Sequence, residues 1–446
     1  MTAGKQKQSQ GTAPRPEAPS AQGPAPAVPV SRPGLLSGYD PGTSYCELLG
    51  LGGEVTEATQ TVLERINQMD EASLRIRAQD AELELYNFGI TFTVYSETEK
   101  DSIDRILPFD VIPRVIARSD WQVLDYGVRQ RVAALNAFLW DIYHDGKILK
   151  DGVVPRDLVV GNANYRPEME GVDVPQGTYV QIDGTDLIRG ADGAFYVLED
   201  NARTPSGVSY VVENRHLMLR TFPDLMESVP VRPVSNYGQK LREALGETAP
   251  AGVDDPVVVL LSPGTYNSAY FEHIFLAREM GVPLVEGRDL VVEDDRVYMK
   301  TIRGLQRVDM IYRRVNDDFL DPEVFNPNSM LGVAGLMRAY WKGNVGLANA
   351  VGTGIADDKA VYAYMPRIIQ YYLGEEPAIQ NVETHICRER EGLQYTLDNL
   401  DKLVVKPVGE AGGYGITVGP HASQEEIEHC REKLLADPAN YISQPM

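Results

Sequence analysis

The fold class predicted by the sequence is mixed α/β, in an α+β arrangement, and three observations predict it. An amphipathic helical section opens the chain's structured part, an antiparallel hairpin with an acidic face follows Pro175, and from Val257 a buried strand, loop, helix and strand follow one another as in an open parallel layer.

Taken in order, residues 1–34 are rich in Gln, Ala, Ser and Pro, hold almost no large apolar side chains, and read as a disordered tail that cannot offset the entropy of ordering its backbone. From Glu54 to about Leu85, Val62, Ile66 and Met69 recur at helical spacing among good helix formers. "FGITFTVYS" alternates as a strand, and "DYGVRQRVAALNAFLWDIYHDGKIL" puts Val132, Leu135, Leu139 and Ile142 on one helix face. "TYVQIDGTDLIRG" and "AFYVLEDNART" flank an "ADG" turn, a hairpin signal. The parallel texture from Val257 comes next. The stretch from about 350 then runs helix ("DDKAVYAYMPRIIQYYL"), strand ("KLVVKPV"), Gly-rich loop, helix ("SQEEIEHCREKLLA") and short strand ("YISQP").

Composition excludes several functions. The 446 residues carry 42 Lys+Arg against 64 Asp+Glu, a formal net charge of −22, and the tail, with four basic residues against Glu17, leaves the remainder more acidic still. Such a chain without basic clusters offers no footprint for nucleic acid or an anionic membrane surface. With 43% hydrophobic and 24% charged residues, most of it can build buried cores. Cys46, Cys387 and Cys430 cannot pair completely and show no CxxC spacing, so they are expected as reduced thiols in the cytoplasm. No stretch of about 18 apolar residues and no signal-peptide core is present, so neither a membrane span nor export is expected.

Two constellations point to chemistry. In "LVVKPVGEAGGYGITVG" a strand delivers Lys406, and Gly409, Gly412, Gly413 and Gly415 form a loop whose backbone N–H groups can approach phosphate oxygens without a Cβ in the way. It is neither a Walker loop nor a dinucleotide fingerprint, and its alternative is a flexible hairpin turn. "GTGIADDK" at Gly352–Lys359 mimics a Walker spacing only loosely. In the hairpin, Glu199 and Asn201 stand two apart and leave one face of their strand, and the preceding strand can place Asp186 beside them. Two carboxylates and an amide oxygen suit Mg²⁺; the alternative is an acidic, solvated hairpin. Asp200 should point the other way, and Arg203, Ser206 and Gly207 follow in a loop able to hold an anion.

Together these segments resemble the ATP-grasp ligases, in particular the circularly permuted proteins related to glutathionylspermidine synthase. Glu199 and Asn201 precede Lys406 here, the reverse of the ordinary ATP-grasp order. The resemblance extends through "PFDVIPRVI", "GAFYVLEDNARTPSGVSYVVENR", "AYFEHIFLAREMGVPLVEGRDL", "VDMIYRRVNDDFLDP" and "NAVGTGIADDKAVYAYMP". It implies a circularly permuted ATP-grasp fold with a pre-ATP-grasp parallel layer and a helical N-terminal section. In that layout 35–235 carry the metal-binding part, 236–350 the substrate region and 351–446 a nucleotide lobe that stops, incomplete, soon after Gln444. It also implies that Lys359 and Lys406 contact ATP phosphates under the Gly409–Gly415 loop. Asp186, Glu199 and Asn201 would ligate Mg²⁺, two ions in all, and Gln444 would lie near the adenine. The relatives have an Arg two residues before the first metal Asp; Gly184 stands there in this chain. The catalytic cation therefore falls to Arg189 or Arg203.

Other residues carry open alternatives. Arg313 and Arg314 end an apolar strand and either bind a substrate carboxylate or pair with Asp317 or Asp318. Asn267, Tyr270, Glu272 and His273 follow the Val257 strand, where α/β sheets bind ligands, with His273 expected as a satisfied structural group. Gln130 and Arg131 are expected to be solvated or to form a buried pair. The expected function is an ADP-forming carboxylate–amine ligase acting through an acyl phosphate on small-molecule or peptide substrates. An ATP-grasp kinase and a catalytically silent ATP-binding scaffold are the alternatives, and homo-oligomerisation is left open.

Overall fold

The computed structural model describes residues 34–50, 57–94, 103–106, 108–409 and 415–446. The expected tail, apart from Gly34, lies outside these residues, as do Gly412 and Gly413.

The N-terminal helical section is two helices, Glu57–Asn67 and Glu71–Asn87, where the sequence suggested one run. The break falls at Asp70, whose carboxylate accepts the Ser73 N–H at 2.7 Å and caps the second helix. Val62 and Ile66 are buried against Met218, Phe222 and Leu225. The strand expected in "FGITFTVYS" is Thr91–Val94, paired antiparallel with Ile103–Ile106.

The long helix Arg118–Tyr143 buries Leu135, Phe138, Leu139 and Ile142 in the largest hydrophobic cluster. That cluster also takes in the parallel sheet, which runs Gly346–Ala348, Met310–Arg313, Val258–Leu261, Leu284–Val285, every pairing parallel. Val258–Leu261 is buried at all four positions, which explains its unbroken apolar run. Helix Tyr270–Met280 packs beside it and ends at Gly281, whose φ of 65° places it in the left-handed region. An antiparallel meander of Leu290–Glu293, Arg296–Thr301 and Gly304–Val308 follows. Its first turn sets Asp294 and Asp295 at positive φ, the geometry of a two-residue hairpin turn.

Two further sheets carry the candidate site. The acidic hairpin, Gly184–Arg189 with Phe195–Asn201, gains a third strand from Gln380–Asn381, parallel to Phe195–Asn201. The last sheet runs His385–Ile386, Tyr441–Pro445, Leu403–Pro407, Thr417–Val418, all antiparallel. Helices Arg390–Asp398 and Gln424–Ala436 cover one of its faces, where Cys387, Val405, Cys430 and Leu434 pack. All three cysteines are free thiols. Lys406 pairs with Ile442, so Lys406 and Gln444 are diagonal neighbours on the opposite face. "DDKAVYAYMPRIIQYYL" is split into Lys359–Tyr362 and Met365–Leu373, with Pro366 in the first turn of the second helix, where its missing N–H costs nothing. Among the described residues no helix is long and apolar enough to cross a membrane.

Candidate active site

The hairpin register sets Asp186 opposite Glu199 and Gly184 opposite Asn201, with an irregularity directly after Asp186. The Asp186 carboxyl is raised above its ordinary value, first by burial and then by the Glu199 charge beside it. Asn201 donates its amide N–H to the Gly184 carbonyl at 3.2 Å, so Oδ1 is the atom it has for a cation. Like charges set opposite one another, Asp186 at an exposed position and Glu199 with a quarter of its side chain exposed, fit an added cation. Among the described residues no group of three His, Cys, Asp or Glu side chains forms a cage. A shell of two carboxylates and an amide oxygen completed by substrate oxygens is the usual arrangement for Mg²⁺.

Two lysines from the C-terminal lobe reach this pair. Lys359 Nζ stands 3.5 Å from Glu199 Oε2. Asp358 caps the short helix carrying it, accepting the Ala360 and Val361 N–H groups at 2.8 and 3.1 Å. The Lys359 N–H donates to Val408 O at 3.1 Å, which ties it to the end of the Lys406 strand. Lys406 is 9% exposed and donates to Gln444 Oε1 at 2.7 Å. Burial lowers its basicity; Glu199 and Asp186 act to raise it and Lys359 to lower it, which puts all four charges in one field. Gln444 in turn donates to Thr384 Oγ1 at 3.0 Å, at the edge of a cavity of ≈ 380 Å³ lined by Tyr364, Arg367, His385 and Tyr395. Of the loop glycines, Gly415 has φ of 71°, and a Cβ there would meet Pro407 at 2.9 Å; among the described residues a Cβ at Gly409 would meet nothing within 4 Å.

The two candidate arginines separate. Arg203 Nε lies 3.5 Å from Oδ2 of Asp357, two residues before Lys359, and its Nη1 donates to Asn164 Oδ1 at 3.4 Å, with one quarter of the side chain exposed. Arg189 does not join them. At the turn end of the hairpin it donates to Gly193 O, pairs with Asp120 at 2.9 Å, and lies over Tyr45 and Phe195. A Cβ at 184 would stand 3.1 Å from the Pro205 ring and 3.4 Å from the Asn201 Cβ, so a side chain there requires the Pro205 ring to give way by a few tenths of an ångström.

The expected substrate residues are corrected in part. Arg313 is fully buried, with its donors taken by the carbonyls of Asn349, Val315 and Ala350 and its charge by Asp317 at 2.8 Å. It is an internal brace, because three backbone oxygens and a carboxylate leave its planar fork nothing to offer. Arg314 is likewise enclosed, donating to Ser206 Oγ and paired with Glu272 at 3.3 Å; Ser206 accepts that bond at an exposed position. Glu272 accepts the N–H groups of Gly207 and Ser209 at 2.7 and 3.1 Å, fixing the loop that leads from Arg203 to the next helix. Asn267 accepts the Ala269 N–H and lines a separate cavity of ≈ 450 Å³ with Tyr270, Phe271 and Arg278.

His273 is a structural group as expected: Nδ1 is 2.9 Å from Ser262 Oγ, and burial, assisted by Arg314, pushes it down to about 3. Asp200 points away from Glu199 and takes both oxygens to Arg131 at 2.6 Å, the buried pair anticipated for that helix. Gln130 is also buried, donating to Glu375 and to the Glu376 carbonyl.

Asn162, Asn164 and Asp357 were missed. Asn162 donates to Asp358 Oδ2 at 2.7 Å, and Asp357 Oδ1 accepts the Ala202 and Arg203 N–H groups at 2.6 and 3.0 Å. The polar run "GNANYR" was the available signal, but nothing local said which lobe it would meet.

A family profile described as "A circularly permuted ATPgrasp" matches residues 113–444. An uncharacterised protein of Synechocystis sp. is 49% identical over 411 residues, covering 92% of this chain and 85% of its own length. One of Mycobacterium tuberculosis is 45% identical over 416 residues, covering 92% and 74%. A Frankia casuarinae protein provisionally named glutamate–cysteine ligase 2-2 is 41% identical over 435 residues; the match takes 96% of this chain but 50% of that protein. Among solved structures, a glutathione synthetase-like effector of Globodera pallida in its apo form superposes with a TM-score of 0.52 over 85% of this chain and 82% of its own, at 12% identity, a likeness of fold alone. With the hairpin acids and the two lysines assembled in reversed chain order, and with the profile and these relatives in agreement, this chain belongs to the circularly permuted ATP-grasp family.

Proposed function

We propose that the protein is an ATP- and Mg²⁺-dependent carboxylate–amine ligase that releases ADP and phosphate through an acyl phosphate. One observation carries this reading: Lys359 and Lys406, distant in sequence from Asp186 and Glu199, share a single electrostatic field with them. In a chain of net charge −22, a polyanion needs such a local reversal of sign.

In this reading Lys359 and Lys406 bind the phosphates and orient the γ-phosphoryl group, with Gly409 and Gly415 bounding the loop beside them. Gln444 lies toward the base. Asp186, Glu199 and Asn201 would hold Mg²⁺, which when bound supplies charge neutralisation between the phosphates. Arg203 faces the transferred group. A substrate carboxylate oxygen attacks the γ-phosphorus as ADP leaves, and an amine then attacks the acyl carbon as phosphate leaves; positioning and electrostatics suffice, without a side-chain nucleophile. Residues 35–235 and 351–446 form the ATP-grasp unit and 236–350 the substrate layer. The relative named as a ligase matches over half its length, so no substrate is carried over from it.

The test is incubation with Mg·ATP and a pool of amino acids, short peptides and polyamines. Equal release of ADP and phosphate, dependent on the pool, is expected. ADP without phosphate would instead mark a kinase, and nucleotide binding without turnover in every pool would mark a scaffold.

A further inference from the structure

An amine acceptor enters neutral solution as an ammonium ion, whose nitrogen has no lone pair to attack an acyl carbon, so a ligase of this kind needs a proton acceptor near the lysines. We infer that Asp357 is that acceptor, acting through Oδ2 on the incoming amine; the inference rests on the ligase reading above.

The argument is one of elimination among the carboxylates around the site. Asp186 and Glu199 are committed to the cation. Asp358 has Oδ1 on two backbone N–H groups and Oδ2 on Asn162. Asp200 is held on both oxygens by Arg131; Asp317 is buried, with Oδ2 accepting the Gly352 N–H and Oδ1 in an ion pair with Arg313 at 2.8 Å, so an amine cannot reach it. Glu272 is filled by Gly207, Ser209 and Arg314. Asp183 has an unpartnered Oδ1, but that atom is shut off from solvent beside Asp200, and Thr185, which donates to Asp183, pairs with Asp200 on the face away from Glu199. His273 is sealed under its sheet and cannot serve.

Asp357 differs from all of these. Its Oδ1 is anchored by the Ala202 and Arg203 N–H groups, whereas among the described residues Oδ2 meets only Arg203 Nε, at 3.5 Å, beyond hydrogen-bond range. The side chain is 20% exposed, and the residue stands two before Lys359, whose Nζ reaches Glu199. An anchored oxygen with a free, solvent-reachable partner is the geometry of a positioned base. Burial lifts its carboxyl to about 6, with Arg203 and the two N–H groups opposing and Asp317 adding to the rise; Asp183 and Lys359 are the other charges nearby. A base poised close to neutrality combines the right protonation state with useful strength.

The step balances. One ammonium proton passes to Asp357 Oδ2, and the freed nitrogen pair forms the C–N bond at the acyl carbon. The C–O bond to phosphate breaks with its electrons going to phosphate, and the second nitrogen proton leaves with that group.

Asp357→Asn tests the assignment, because the amide oxygen can still accept both backbone N–H groups while Oδ2 is lost as a base. Wild type and variant are given Mg·ATP and pooled amino acids and dipeptides, with and without hydroxylamine, which is largely unprotonated at neutral pH and captures acyl phosphates without a base. The ratio of hydroxamate to amide formation is expected to rise at least about 100-fold in the variant. An unchanged ratio, whether both rates hold or both fall together, overturns the proton role and leaves the ligase reading standing. A wild type that forms neither product nor ADP refutes the ligase reading itself. Independently, the infrared carboxyl band lost in Asp357→Asn should titrate near 6; a band in the ordinary carboxylate range overturns the assignment.

Discussion

Replacing Lys406 by Met separates nucleotide binding from stability. Methionine keeps most of the side-chain volume, so no cavity opens, and the effects on the unliganded protein oppose one another. Burial already penalises the ammonium, and its loss relieves that; but Gln444 Oε1 loses its donor, and Asp186 and Glu199 lose part of their countercharge. The unliganded Tm should therefore move little. The nucleotide loses a charge-assisted hydrogen bond worth roughly 1.5–3 kcal/mol, or about 10- to 100-fold in affinity. At nucleotide a hundredfold above the wild-type Kd, stabilisation of about 2.7 kcal/mol should fall to roughly 0.4–1.4 kcal/mol. Thermal melts with and without Mg·ADP read this directly, and Lys402→Met, at an exposed position on the same lobe, serves as the control. A variant stabilised as strongly as the wild type would refute the placement of Lys406 at the phosphates.

Three further outcomes are expected. Glu199→Gln removes one of the paired charges, so the Mg²⁺ concentration for half-maximal nucleotide-dependent stabilisation should rise roughly tenfold or more, while Mg²⁺-free nucleotide binding changes little; an unaltered Mg²⁺ titration would contradict the metal assignment. Arg131→Met strands Asp200 in the interior and should cost about 3–5 kcal/mol in denaturant unfolding, with much of it recovered in Arg131→Met/Asp200→Leu; a loss below about 1 kcal/mol would show the pair is not isolated from water. His273 sits near 3 when folded, below its ordinary 6.5, so the unfolded chain binds the extra proton between those values, and the contribution present above 6.5 is lost as pH falls. His273→Asn should flatten stability against pH below 6.5 by up to roughly 1.4 kcal/mol per unit, whatever its effect at pH 8; an unchanged slope would mean the imidazole is already charged.

Much of this arrangement was legible in the residues because it is local. The period-2 run of the hairpin, the unbroken apolar strand at Val258–Leu261 and the helix face of Leu135, Leu139 and Ile142 each follow from one element's own pattern. What was not legible depends on distant partners. "TYVQID" reads as strand, yet the strand begins only at Gly184, because the Gln181 and Ile182 N–H groups go instead to the side chain of Asn349. Arg313 and Arg314 look alike in sequence as ligand-binding cations. Only the neighbouring carbonyls and Glu272 show that both charges are already spent inside the protein. Asp357 escaped notice for the opposite reason: its importance is an acceptor left over, and a surplus appears only once every other pairing is known.

The reversed order of acids and lysines has a consequence for synthesis. A nascent chain exposes Asp186 and Glu199 long before Lys359, Lys406 and Gln444 leave the ribosome, and the third strand of the acidic sheet, Gln380–Asn381, arrives late as well. Until then both edges of the hairpin are open and its two carboxylates uncompensated, so in the proposed reading a partly made chain has no means of gripping ATP. If nucleotide is held as proposed, its binding reports that translation has passed Gln444, and residues 236–350, between the two halves, have had time to fold before the first phosphate is bound.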